Sequence, residues 1–90
     1  MVKPRLDKLT GVIRKALQRR GVSIDPFSIM ELATILKPAL REGRPPGSSV
    51  ESAVEFLSGI LERSYVDNPG LVAGEIVREI VEHCRREDCG

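Results

Sequence analysis

Tryptophan is absent from this chain of 90 residues, and its aromatics stop at Phe27, Phe56 and Tyr65. Proteins that read single-stranded nucleic acid by stacking need aromatic platforms, so that mode of recognition is disfavoured. Cysteine is almost as scarce, with Cys84 and Cys89 alone near the C-terminus. Along a continuous helix they would stand about 7.5 Å apart axially, which opposes a disulfide unless the tail unwinds. His83, Cys84 and Cys89 lack the paired CxxC elements of a structural zinc site, so neither a metal nor a cofactor is expected. The simpler expectation is a core Cys84 and a stray Cys89.

Side-chain amides are limited to Gln18 and Asn68, and arginine outnumbers lysine ten to four. Both biases lean towards a thermophilic source, although genomic base composition produces the same pattern. No uncharged run approaches the roughly 20 apolar residues of a membrane-spanning helix. The opening stretch, with Lys3, Pro4, Arg5, Asp7 and Lys8, leaves no apolar segment resembling a signal peptide. The expected location is cytoplasmic, with no membrane partner.

The motifs that announce common chemistries are missing too: there is no GxSxG elbow, no GK[ST] phosphate loop, no GxGxxG and no HExxH. Glu31 and Glu42 are the only acids in the second helical segment, and later glutamates follow a solvent-face spacing rather than an inward one. A catalytic carboxylate needs burial or a close neighbour to shift its pKa, which such stripes do not supply. The sequence therefore predicts a protein that is not an enzyme.

What the chain does have is an uneven distribution of charge. Residues 1–44 hold ten basic and four acidic side chains, residues 45–90 four basic and nine acidic, and the whole chain carries +1. Such a division means either halves held together by opposite charge or faces offered to different partners.

Hydrophobic periodicity predicts four helices, at about residues 5–20, 26–41, 48–65 and 69–86, and no strand. Leu6, Leu9, Ile13, Ala16 and Leu17 form the inner face of the first, which Gly21 ends. Lys8, Lys15 and Arg19 fall within about 40° on its far side. Asp25 caps the second helix and Pro26 takes its first position. Ile29, Leu32, Ala33, Ile35, Leu36, Ala39 and Leu40 spread over an arc of about 160°, broad enough for two neighbours. Pro38 should kink or break this helix near Lys37.

Residues 43–47, rich in proline and glycine, form a linker between two helical hairpins. Ser48 and Glu51 make a capping box before Val50, Ala53, Val54, Leu57 and Leu61. Glu51, Glu55 and Glu62 line the outer side of this third helix, where Gly59 suggests a closely approaching backbone. Asn68 caps the fourth helix, whose apolar face comprises Ala73, Ile76, Val77, Ile80, Val81 and Cys84. Glu75, Glu79 and Glu82 form a second acidic stripe, and the spacing of Gly70 and Gly74 permits a close helix contact. Residues 87–90 should fray.

Short connections favour antiparallel neighbours, so the expected fold is an all-α, compact antiparallel four-helix bundle in a single domain. Three functional expectations follow. The first is a small accessory subunit that docks on a larger protein of unstated identity, itself conceivably one that processes nucleic acid. Phe27, Met30, Lys8, Lys15 and Arg19 would make the contact, since Phe27 and Met30 lie off the core face and either cover the bundle's end or meet a partner. The second is sequence-independent nucleic-acid binding through Lys3, Arg5, Lys8, Arg14, Lys15, Arg19 and Arg20. The third is self-association, with the basic half of one chain on the acidic half of another. Against all three stands the plain alternative that the stripes pair with each other along the bundle's seams.

Overall fold

The computed structural model describes residues 5–41 and 47–86, which form four helices: α1 (Arg5–Arg19), α2 (Pro26–Arg41), α3 (Gly47–Arg63) and α4 (Pro69–Arg86). No strand occurs among the described residues. Consecutive helices pack as neighbours and α4 returns to α1, giving the expected four-helix bundle. Residues of α1 taken in ascending order meet residues of α4 in descending order, Lys8 lying near His83 and Arg20 bonding Glu75, so these helices are antiparallel. Across the bundle α2 touches α4, whereas α1 and α3 make no contact among the described residues.

Each helix supplies one buried apolar stripe. Leu9, Ile13, Ala16 and Leu17 of α1 meet Ile29, Leu32, Ala33 and Leu36 of α2 in one continuous core with Ala53, Leu57 and Leu61 of α3 and Ala73, Ile76, Val77 and Ile80 of α4. No polar or charged residue is buried with them among the described residues. Ile60 is buried as well, which widens the core face of α3 beyond the stripe expected from spacing. Ile35, Leu40, Val50, Val54 and Val81 are only half-buried, because they lie at the margins of their stripes.

The helix ends explain the boundaries. Asp25 caps α2: the Ser28 N–H donates to Oδ2 at 3.1 Å and the Ser28 hydroxyl to Oδ1 at 2.7 Å. These bonds favour the carboxylate and hold the Asp25 pKa below its ordinary value. At the end of α1, Gly21 adopts a left-handed φ of 69°, and the N–H groups of Val22 and Gly21 close back on the carbonyls of Leu17 and Gln18. The same double closure ends α3, where Val66 bonds Leu61 and Tyr65 bonds Glu62. Here the left-handed position belongs to Tyr65, at φ 62°, which stops α3 two residues short of the expected limit.

Several expectations require correction. Helix α2 runs on through Pro38 to Arg41, so of the expected kink or break near Lys37 the break does not occur. Thr34, whose carbonyl loses its usual donor there, is exposed, so water can satisfy that oxygen. No atom lies within 4 Å of where a Cβ on Gly59 or Gly74 would stand, and at Gly70 the nearest is the Ser58 hydroxyl at an ordinary 3.9 Å. Close backbone approach therefore accounts for none of the three. Asn68 occupies the N-cap position and its carbonyl accepts the Val72 N–H, but its backbone is left-handed at φ 52° and no described side-chain bond completes the cap. Cys84 is half-buried and disulfide-bonded rather than a core thiol; helix α4 ends at Arg86, three residues before Cys89. Gly47 already belongs to α3. The remainder of the linker, the Ser48 side chain of the capping box, residues 87–90 and Cys89 lie outside the described residues.

Candidate functional site

The basic stripe of α1 divides in two. At its C-terminal end Arg19 Nη1 donates to Glu79 Oε2 at 2.6 Å, while Arg20 reaches both Glu79 Oε1 at 3.1 Å and Glu75 Oε1 at 3.3 Å. Glu79 is partly shielded between the two guanidinium groups and ties the end of α1 to the middle of α4. Part of the stripe thus pairs along the α1/α4 seam, with one of the two glutamate rows as its partner. Exposed pairs of this kind contribute about 0 to 1 kcal/mol each and weaken with salt, so they align the helices more than they stabilise them.

Lys8 and Lys15 have no ion-pair partner among the described residues. Both are exposed, and both line a groove of about 360 Å³ that runs along the same seam. Gly11, Val12, Ala16 and Ile80 supply its apolar surface, and Arg19, Glu79 and His83 complete its rim. The groove exists because α1 and α4 make the lightest contact of the four neighbouring helix pairs. Gly11 deepens it: beyond its own helical turn no described atom lies within 4 Å of the position a Cβ would take there. An apolar floor beneath uncompensated cations suits an amphipathic, acidic occupant, whose apolar side is desolvated while its carboxylates meet the rim.

Two other surfaces remain open. Phe27 is 81 % exposed and Met30 50 % exposed, so neither covers the end of the bundle. Tyr65, 94 % exposed, and Leu71, 64 % exposed, stand at the start of and just after the α3–α4 connection. On α3, Glu51, Glu55 and Glu62 are exposed and have no ion-pair partner among the described residues.

Of the residues singled out for partner contact, Lys8, Lys15 and Arg19 come together at the groove, while Phe27 and Met30 lie on α2 and do not line it. Of those singled out for nucleic acid, Arg14 is exposed and lines a different depression, between α1 and the start of α2, and Arg19 and Arg20 have glutamates beside them. Arg5 opens α1, and Lys3 lies outside the described residues. Sequence reasoning missed Gly11, Val12 and His83 as groove residues. The available signal was Gly11 itself, an unforced glycine inside a strongly amphipathic helix and beside the basic stripe.

Among the described residues no three His, Cys, Asp or Glu side chains are grouped so as to hold a metal ion. Among the described residues no helix is long and apolar enough to cross a membrane. No protein-family model matches this chain, and no similar curated protein or solved structure was found.

Proposed function

We propose that this protein is a non-catalytic helical interaction module, which docks an acidic amphipathic segment in the groove between α1 and α4 and acts as a small accessory subunit. The observation that carries this reading is the pairing of an apolar floor with two lysines that have no partner of their own among the described residues. With Arg19 and Arg20 engaged by Glu75 and Glu79 farther along the same seam, two unpaired cations beside apolar surface are available to orient an incoming segment and speed its encounter. Phe27 and Met30 offer a second, apolar contact on another side of the molecule. Backbone-directed binding of nucleic acid is the weaker reading, because Glu75 and Glu79 place negative charge beside Arg19 and Arg20, where phosphates would have to lie.

A cytoplasmic location belongs to this proposal and must accommodate the disulfide at Cys84. Stable disulfides in intracellular proteins are characteristic of hyperthermophiles, and the scarcity of amides and excess of arginine lean the same way.

The test is affinity capture from lysate of the source organism after nuclease treatment, comparing the wild type with Lys8→Glu/Lys15→Glu. A protein partner retained by the wild type and lost by the variant supports docking through the groove. Equal retention by both would remove the groove from the function, and loss of every partner on nuclease treatment would transfer the argument to nucleic acid.

A further inference from the structure

We propose that the acidic segment that fits this groove is helix α3 of a second copy of the chain, docked antiparallel to α1 so that copies associate head to tail. This rests on the reading of the groove as a docking face. The argument begins with spacing. Read backwards along α1, the cations Arg19, Lys15 and Lys8 are separated by four and then seven residues; read forwards along α3, Glu51, Glu55 and Glu62 are separated by four and then seven. Antiparallel helices therefore bring Arg19 level with Glu51, Lys15 with Glu55 and Lys8 with Glu62 in a single register, over about 16 Å of axial length. Each trio falls within about 40° on its helix, so all three pairs form on one line of contact.

The same register sets Gly11 level with Gly59. Each glycine sits inside a helix, where it costs about 1 kcal/mol relative to alanine, and beyond its own helical turn no described atom lies within 4 Å of the position a Cβ would occupy. Each lies about 60° from its line of charges, Gly11 on one flank of the contact and Gly59 on the other, so neither flank is crowded by a side chain at that level. Beside the acidic residues α3 presents the exposed Ser52, small enough to lie over the groove floor; its apolar face stays in its own core, so this contact relies on charge. The charges of the opposite wall are accounted for: Arg20 engages Glu75 and Glu79 on α4, and the exposed Arg19 guanidinium, which also holds Glu79, would bridge it to the incoming Glu51, leaving His83 at the rim.

Geometry dictates the mode of association. Among the described residues the backbones of α1 and α3 do not come close, and the two helices occupy opposite corners of the bundle. The groove and the acidic stripe thus face away from each other, so one two-fold pair cannot satisfy both, and the contact is heterologous. A short run of copies retains one free groove at one end and one free acidic stripe at the other, where a larger partner can join.

The test is analytical ultracentrifugation of the full chain across a range of concentration and salt. The weight-average mass of the wild type should rise with concentration at low salt and return to the monomer value near about 1 M salt, where the Debye length is about 3 Å. Lys8→Glu/Lys15→Glu and Glu55→Lys/Glu62→Lys should each associate about tenfold more weakly or worse, with unchanged helical circular dichroism. Their equimolar mixture should restore association, because each variant then offers the charge the other needs. Glu31→Lys/Glu82→Lys has the same net charge as the second variant, with its lysines at exposed positions away from the stripe and both contact faces intact, and should associate as the wild type does. A wild type that stays monomeric at low salt, a mixture that associates no better than either variant alone, or a control that loses association would overturn the proposal. If the wild type is monomeric while Lys8→Glu/Lys15→Glu still loses a captured protein partner, the second copy is excluded as occupant and the docking reading survives.

Discussion

Tyr65 and Gly21 occupy equivalent places in the two helical hairpins, and opposite substitutions there should move stability in opposite directions. Both residues end a helix in the left-handed region, at φ 62° and 69°, with the same pair of closing hydrogen bonds. For a residue with a Cβ, that conformation costs about 1 to 2 kcal/mol. Tyr65 is 94 % exposed, so replacing its side chain sacrifices almost no burial. Glycine gives back about 0.4 to 1 kcal/mol through the larger entropy of the unfolded chain. Tyr65→Gly should therefore stabilise by about 0.5 to 1 kcal/mol, raising the melting temperature by about 3 to 6 °C for a domain of this size. Gly21→Ala meets no neighbouring atom, so its penalty is purely a backbone one and should be at least about 1 kcal/mol in the destabilising direction. Urea unfolding followed by circular dichroism measures both, and the slope should not change, since neither substitution alters the buried surface. A Tyr65→Gly protein that is less stable than the wild type would refute the reasoning and mean that Tyr65 makes a contact worth more than its strain.

Three further perturbations test other parts of the fold. Leu57→Ala removes a fully buried side chain from the middle of the core and should cost about 2 to 5 kcal/mol by chemical denaturation. Glu79→Gln breaks the ion pairs with both Arg19 and Arg20; the loss should be about 1 kcal/mol or less at low salt and should shrink as salt is added. Asp25→Ala removes the cap of α2 and should lower the melting temperature, with Asn in its place retaining most of the effect. Because the folded pKa of Asp25 is depressed below 3.8, its contribution is complete above that value and is lost as pH falls through the folded pKa. The difference in melting temperature between wild type and Asp25→Ala should accordingly narrow in strong acid towards that between Asp25→Asn and Asp25→Ala.

The helices were legible because apolar spacing, caps and breakers agreed with one another. Leu9, Ile13, Ala16 and Leu17 recur at the helical period and Gly21 stands at the stop, so local and tertiary preferences coincide there. Asp25 was legible for the same reason, its carboxylate being placed just before Pro26 at a helix start. Pro38 does not end the helix, because the breaking tendency of proline depends on what becomes of the orphaned carbonyl, and exposure of Thr34 is a tertiary property. Gly59 and Gly74 misled for a related reason: a sequence shows that a side chain is missing but not whether anything occupies the space. Beyond the local helix backbone, no described atom does so at either glycine. Tyr65 could not be foreseen as a left-handed stop, because nothing about tyrosine announces that conformation. For the candidate site, periodicity gathered Lys8, Lys15 and Arg19 on one face, but which cation pairs with Glu79 and which stays open depends on how α1 lies against α4. The disulfide at Cys84 was left open by the sequence, because the axial separation along a helix opposes it, an unwound tail permits it, and spacing alone does not choose between the two.

The groove's role as a docking face is tested most directly by backbone amide chemical shifts of the wild-type protein, recorded over a series of concentrations at low salt. The account predicts shifts that grow with concentration in residues 8–19 and 79–83 around the groove and in residues 51–62 along the acidic face of α3, and that disappear when salt is raised. Shifts centred instead on Phe27 and Met30, or shifts that persist at high salt, would contradict it.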